Sequence, residues 1–147
     1  MTARTATSRV ITKALETILT DADLFVGVGE VPEGGGWTAG AGESQFQPYA
    51  TLYPLPGATD GPLDGSSEDG ISSYQVTAVG STVEQAEWVA DAARVALCGA
   101  RPVAGSRTVT LITCPVMAGV LPDDTVQPRV FFSADRFEVM STPTSPG

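Results

Sequence analysis

A strand that runs directly into a capped helix is the feature that most constrains this chain. Residues Ile71–Gly80 alternate between two sets of side chains, as expected for a strand in a sheet. Ser81 and Glu84 follow with the spacing of a capping box, which satisfies backbone N–H groups of a first helical turn. The sequence therefore predicts a helix that begins near Ser81 and runs to about Cys98, with Gly99 as the glycine that ends it.

A second helix is predicted near the N-terminus. Apolar side chains recur through Ser8–Thr20 at the spacing of one helical face. Ser8 is predicted to be its N-cap. Asp21 and Asp23 lie beyond the predicted C-terminal end, where the helix dipole disfavours negative charge.

The remaining periodic segments are strand-like. Tyr49–Leu55 and Ile71–Gly80 are separated by a long connection and predict an antiparallel pair. Further strands are predicted at Leu24–Val28, Arg107–Thr113 and Val130–Met140, the last with a bulge near Ser133–Ala134. We expect one α+β domain over residues 1–147, with an ordered core at 8–143. Its antiparallel or mixed sheet should carry both helices on one face.

Long connections are expected because the chain contains 16 glycines and 11 prolines among 147 residues, above the usual share. The stretch 32–46 is Gly-rich around Trp37 and predicts a long flexible loop. A second long loop is predicted at 57–70, and residues 141–147 are predicted to form a loose tail.

Charge and composition argue against several classes of function. Seventeen acidic residues against eight basic ones give a net charge of −9, which should repel nucleic acid. The chain has no histidine, so the commonest general base and zinc ligand is missing. We expect a protein that is not an enzyme and binds no metal or cofactor. Cys98 and Cys114 are predicted to be buried free thiols.

No apolar stretch approaches the roughly 18 residues that cross a bilayer, so we expect a soluble protein with no membrane partner. The N-terminal residues lack the apolar region of a secretory signal, which favours a cytoplasmic origin.

Two short patterns suggest ligand binding only weakly. A run of acids at Asp60, Asp64, Glu68 and Asp69 has the ligand type that calcium prefers but not the EF-hand spacing, and a solvated loop is the alternative. The pair Asp123 and Asp124 raises the same question, which a turn between strands answers.

A nucleotide loop at Gly27 and Gly29 is disfavoured because Pro32 stands where a third glycine would be needed.

Two tryptophans are candidates for contacts. On a helical wheel Trp88 lies with Ala92 and Val95, away from the stripe predicted to pack on the sheet. This second apolar strip either packs against the N-terminal helix or contacts another subunit. Trp37 is either a hydrophobic plug or a docking anchor, and we favour docking.

Five segments together resemble a known family. They are Tyr49–Gly57, Asp60–Leu63, Tyr74–Gly80, Glu84–Asp91 and Asp123–Phe137. The chain resembles the tail terminator proteins of long-tailed (siphovirus-type) actinobacteriophages over roughly residues 8–143. The shared motifs are structural patterns without a catalytic signature, and the Gly-rich stretch around Trp37 departs from the family pattern.

The resemblance implies a lambda-like tail terminator fold that assembles as a hexameric ring. Such a ring would sit in the tail–neck region of the virion, on the head-proximal end of the tail tube, after assembly in the host cytoplasm. It would stop polymerisation of the tail tube protein and join the tail to the head connector or stopper protein. DNA would pass through its lumen without specific binding. The acids at 60–69 and 123–124 are candidates for the lumen or for docking. The alternatives are a neighbouring connector or stopper and, more remotely, a small calcium-binding module or enzyme.

Overall fold

A computed structural model describes residues 3–39, 44–55, 70–105 and 107–143. Within these ranges, two helices and nine strands form one α+β domain; the α+β class is as predicted. The helices are α1 (Ala3–Asp21) and α2 (Val83–Leu97). The strands are β1 (Val26–Val28), β2 (Gly36–Ala39), β3 (Ser44–Gln47), β4 (Tyr49–Leu55), β5 (Gly70–Gly80), β6 (Val103–Ala104), β7 (Arg107–Val116), β8 (Leu121–Asp123) and β9 (Val130–Pro143).

Seven strands form a curled mixed sheet in the order β1-β4-β5-β9-β7-β6, with β8 paired to β9. Only β1 and β4 run parallel, with Val26 opposite Ala50, and the other pairs in this sheet are antiparallel. The predicted antiparallel pair of β4 and β5 is confirmed, with Tyr49 opposite Val79.

Both helices share one hydrophobic core with the sheet. Helix α2 packs mainly over β5 and β9, and α1 contacts α2 together with β1 and β6, the two end strands of the sheet. The core combines a buried side from each helix with residues of the central strands, among them Leu15, Leu19, Val89, Leu97, Leu52, Phe137 and Val139. The prediction of two helices on one face is confirmed.

The N-terminal helix is longer than predicted. It begins at Ala3, so Ser8 lies inside the helix and is not its N-cap. The preceding residues include Ala3, Arg4 and Ala6, which are good helix formers and allow the earlier start. Asp21 is the last helical residue, and Asp23 follows in the left-handed region with a φ of 65°.

The cap of α2 lies one residue later than predicted. Thr82 is the N-cap, and its hydroxyl accepts a hydrogen bond of 3.1 Å from the N–H of Gln85. The Gln85 side chain reaches back and accepts from the N–H of Ser81 at 2.7 Å. The cap therefore uses Gln85 twice, through its N–H to Thr82 and through its side chain to Ser81, and Glu84 takes no part in these bonds. The C-terminal end is as predicted, with Gly99 at a φ of +92°.

The Gly-rich stretch contains an antiparallel hairpin, so the prediction of a flexible loop over 32–46 is wrong there. Strand β2 pairs with β3, and Trp37 lies opposite Phe46. Gly34 and Gly36 adopt φ values of +84° and +87°, which side chains disfavour. These glycines shape the entry into the hairpin.

The last strand is regular where a bulge was expected. Strand β9 pairs with β5 without a register shift through Ser133–Ala134. The irregularities lie in β7, one of them between Thr113 and Val116, where Pro115 has no N–H to donate. Residues 141–143 belong to β9, so the predicted loose tail is wrong there, and residues 144–147 lie outside the described part.

Gly80 is the last residue of β5 and lies against the first turn of α2. A Cβ there would lie 2.5 Å from Gln85 Cβ and 2.6 Å from the backbone nitrogen of Ala86. We expect Gly80→Ala to lower the free energy of unfolding by about 2 kcal/mol, because the helix must shift to make room. Urea unfolding measures this. Gly119→Ala is the control, since a Cβ there meets nothing within 4 Å. Equal stability of the two variants would contradict the prediction.

Candidate subunit interface

The outward face of α2 carries an unusually exposed apolar strip. The helix turns Ala86, Val89, Ala90, Ala93 and Leu97 into the core. The opposite side presents Trp88, which is 57% exposed, and Val95, which is 81% exposed, with the partly buried Ala92 between them. We call these three residues the α2 strip. Packing within the chain leaves more than half of Trp88 uncovered, so the predicted alternative of burial against the N-terminal helix does not account for it.

The buried carboxylate of Asp135 joins α2 to the turn that follows β7. The Asp135 side chain is 3% exposed, and its Oδ2 accepts a 2.8 Å hydrogen bond from Nε of Arg94 on α2. Its Oδ1 accepts a 3.0 Å hydrogen bond from the N–H of Ala118. Val116 and Met117, just before Ala118, are exposed apolar residues. The ion pair thus joins α2 to a turn that exposes two apolar side chains.

Arg94 also pairs with Asp91 on the helix surface at 2.7 Å. Burial opposes the charge of Arg94, but the hydrogen bond and charge of Asp135 and the charge of Asp91 outweigh it and raise the pKa of the guanidinium. Arg94 therefore stays cationic at physiological pH. Sequence reasoning missed Asp135. Its spacing nevertheless places it on the buried side of β9 with the apolar residues Phe137 and Val139, in alternation with the more exposed residues of that strand. That alternation was the available signal.

A row of aromatic rings supports the hairpin. The Trp37 and Phe46 rings meet edge to face with centroids 5.1 Å apart. Phe46 in turn stacks on Tyr49 at 6.0 Å. Burial and the neighbouring Tyr53 raise the pKa of the Tyr49 hydroxyl. Trp37 is 40% exposed at the outer end of this row, a position that leaves it accessible for docking.

An open groove lies between α1 and the segment that begins with β1. Its apolar floor includes Val10, Phe25 and Pro32. Its charged lining residues are of both signs: the basic Arg9 and Lys13 and the acidic Glu16, Asp23, Glu30 and Glu33. Of these, Lys13 pairs with Glu16 at 3.4 Å. We assign no ligand to this groove.

The acidic candidates divide into two groups. Asp60, Asp64, Glu68 and Asp69 lie outside the described residues. Asp123 ends β8, and its Oδ1 accepts a 3.0 Å hydrogen bond from the N–H of Thr125. Asp124 pairs with Arg129 at 2.8 Å. These contacts fit a turn between β8 and β9. Among the described residues, no three acids or cysteines gather in a way that could hold a metal ion.

The backbone at Gly27 and Gly29 is packed and hydrogen-bonded within the fold. A Cβ at Gly27 would lie 2.0 Å from the carbonyl oxygen of Glu30, so the backbone is closely packed there. The N–H of Gly29 donates to the carbonyl of Leu52 at 3.0 Å. That donor is therefore engaged within the fold and is not directed at a phosphate.

The two cysteines are free, as predicted. The prediction that both thiols are buried is wrong for Cys98, which is exposed at the C-cap of α2, and Cys114 is only half-buried. Burial is the main cause that raises the pKa of each thiol, and Asp135 raises that of Cys114 further. A protonated thiol is a weak nucleophile, so neither group is activated at neutral pH.

Within the described ranges, neither helix combines the length and apolar character that crossing a bilayer requires. No protein-family model matches the chain, and no curated protein is significantly similar to it.

Proposed function

We propose that this protein is a phage tail terminator. Its subunits form a ring, with six members expected, on the head-proximal end of the tail tube. The ring stops further addition of tube subunits and offers a surface to the connector or stopper protein. The chain acts as a building block in the neck of the virion and not as an enzyme.

The observation that carries this proposal is the exposed α2 strip. Trp88 and Val95 are 57% and 81% exposed on a helix whose other side is fully packed. Tryptophan is enriched at the energetic centres of protein interfaces, and contiguous exposed apolar residues mark interaction surfaces. Val116 and Met117 are further exposed apolar residues. A surface of this kind suits contact between subunits.

The fold and the sequence segments add support of a second kind. A curled sheet with two helices on one face is the architecture that the resemblance implies. The lambda-like tail terminator fold itself is part of the proposal. The segments Tyr49–Leu55 and Tyr74–Gly80, which carry the resemblance, are the paired central strands β4 and β5. The resemblance therefore includes two paired inner strands of the main sheet.

The net charge of −9 suits a channel for DNA. Fixed negative charge repels phosphates over about a Debye length, roughly 8 Å at physiological salt. We propose that the loops with Asp60–Asp69 and Asp123–Asp124 face the lumen or a docking partner. A reconstruction of the ring with both loops on its outer rim would refute this assignment.

The proposal is tested with purified protein and the tail tube protein of the same phage. We expect the protein to shorten growing tubes and to form a cap at one end in negative-stain images. Antibody label should mark the junction of head and tail in intact particles. Tubes of unchanged length together with binding to the isolated head connector would instead identify a connector or stopper. Adding calcium should leave the melting temperature unchanged, because a ligand bound only by the folded state must raise it.

A further inference from the structure

The two cysteines lie on elements that pack together, at the C-terminal end of α2 and in β7. Cys98 is the C-cap of α2, and its N–H donates to the carbonyl of Arg94 at 2.9 Å. Residues four apart share one side of a helix, so Cys98 lies on the side of α2 that directs Arg94 at Asp135 of β9. Helix α2 contacts β7 as well as β5 and β9. The exposed thiol therefore lies on the side of the helix that faces these last strands.

Cys114 lies one strand away from Asp135, on the side of the sheet that carries the helices. It falls in the irregular stretch of β7 just before Val116, which pairs with Arg136 of β9. Its side chain packs against the hydrophobic core that both helices share, and Ile112, two residues earlier, belongs to that core. Both thiols therefore border the ion pair that joins α2 to β9.

The charges of this cluster act on both thiols. Burial is the main cause that raises the pKa of Cys114, and negative charge at Asp135 and Cys98 raises it further. Burial also raises the pKa of Cys98, and Arg94 lowers the pKa of both thiols. Charges shift a pKa in this way over short distances. The two sulfur atoms are therefore within reach of each other's charge, in agreement with their positions on α2 and β7.

We propose that Cys98 and Cys114 form a disulfide bond under oxidising conditions, and that this bond fastens the C-terminal end of α2 to β7. The end of the helix has room to adjust, because a Cβ at Gly99 would meet nothing within 4 Å. A reducing compartment keeps both thiols free, as they are in this structure, and an oxidising one closes the bond. The inference is independent of the proposed function.

The oxidant is a disulfide of low molecular weight, such as oxidised glutathione. Cys98 reacts first because it is exposed, whereas Cys114 is half-buried. The Cys98 thiolate attacks the oxidant, one glutathione leaves, and a mixed disulfide forms. The Cys114 thiolate then attacks the sulfur of Cys98 and displaces the second glutathione. Two protein thiols are oxidised to one disulfide, and one glutathione disulfide is reduced to two thiols that take up the two protons.

A redox titration tests the bond. The purified protein is equilibrated with mixtures of reduced and oxidised glutathione, the remaining thiols are alkylated, and the peptides are identified by mass spectrometry. We expect two peptides joined through Cys98 and Cys114. The equilibrium constant for this bond should be at least about 10-fold larger in the folded protein than in concentrated urea, because the fold holds the two thiols together.

The matched control moves the exposed thiol to the outward side of α2. It combines Cys98→Ser with Val95→Cys, at a position that is 81% exposed. We expect this variant to form a mixed disulfide with glutathione and no bond to Cys114. The proposal is overturned if the unmodified protein yields only mixed disulfides, bonds between chains or free thiols. Equal constants in folded and urea-unfolded protein, or an equal bond from position 95, would also overturn it.

Thermal unfolding gives a second measurement. A bond that forms 10-fold more readily in the folded state stabilises that state to the same extent, so we expect oxidation to raise the melting temperature by about 3 °C or more. Adding a reductant should reverse the rise. Cys114→Ser should show no difference between the two conditions. A melting temperature that does not respond to oxidation in the bridged protein would contradict the proposed lock.

Discussion

Replacing Arg94 by methionine should lower the free energy of unfolding by about 3 kcal/mol, near the lower end for a broken buried ion pair. Methionine keeps the apolar stem but removes the hydrogen bond and the charge that face Asp135. The carboxylate is 3% exposed and would keep the N–H of Ala118 as a partner at 3.0 Å. The Arg94 side chain is 25% exposed, and because solvent weakens the ion pair we expect a loss of stability near the lower end of the range for buried pairs. Chemical unfolding with circular dichroism measures the loss.

The matched control removes the other partner of the same arginine. Asp91 pairs with Arg94 at 2.7 Å but is 71% exposed. Asp91→Asn should therefore cost less than about 1 kcal/mol, as for a surface ion pair. Similar losses for Arg94→Met and Asp91→Asn would show that the buried carboxylate does not depend on Arg94.

We expect Trp88→Ala to abolish the proposed ring while the subunit stays folded. Loss of a central interface tryptophan typically costs about 2 kcal/mol. Because every contact in a ring carries the same change, the losses accumulate around the assembly. We expect few capped tubes at concentrations where the unmodified protein caps most of them. The melting temperature should change little, because the side chain is 57% exposed.

Sedimentation and tube capping are measured together, since free subunits can stay monomeric until they meet the tube. Val103→Ala is the control, because this residue is similarly exposed but lies on β6 at one end of the sheet, whereas α2 packs over β5 and β9. An intact ring with a lowered melting temperature would place Trp88 in the intramolecular core and refute its role in assembly.

Much of the fold could be predicted because its signals are local. The alternation in β5 and the apolar face of α2 depend on residues close in sequence, and both elements were placed to within a few residues. The cap of α2 was displaced by one residue because Ser81, Thr82, Glu84 and Gln85 offer two overlapping pairs with similar chemistry. Only the geometry of the chain selects between them.

The hairpin could not be predicted because glycine gives the same signal in a flexible loop and in a tight turn. Its strands are specified by the pairing of Trp37 with Phe46 and by contact with Tyr49. The same limit applies to Asp135, since the partner Arg94 lies 41 positions earlier in the chain. Of the interface candidates, the outward position of Trp88 and Val95 followed from helical periodicity.

The short end strands of the sheet limit where a further strand could be added. A bare strand edge is a template for adding another strand, and proteins avoid this with very short edges or with covering helices. Here β1 has three residues and β6 has two, and α1 packs against both. These two end strands therefore offer little backbone to a further strand. The longer edge of β7, which continues to Val116 beyond its two-residue pairing with β6, is interrupted by register irregularities and by Pro115, so a strand added there would find a broken ladder of donors and acceptors.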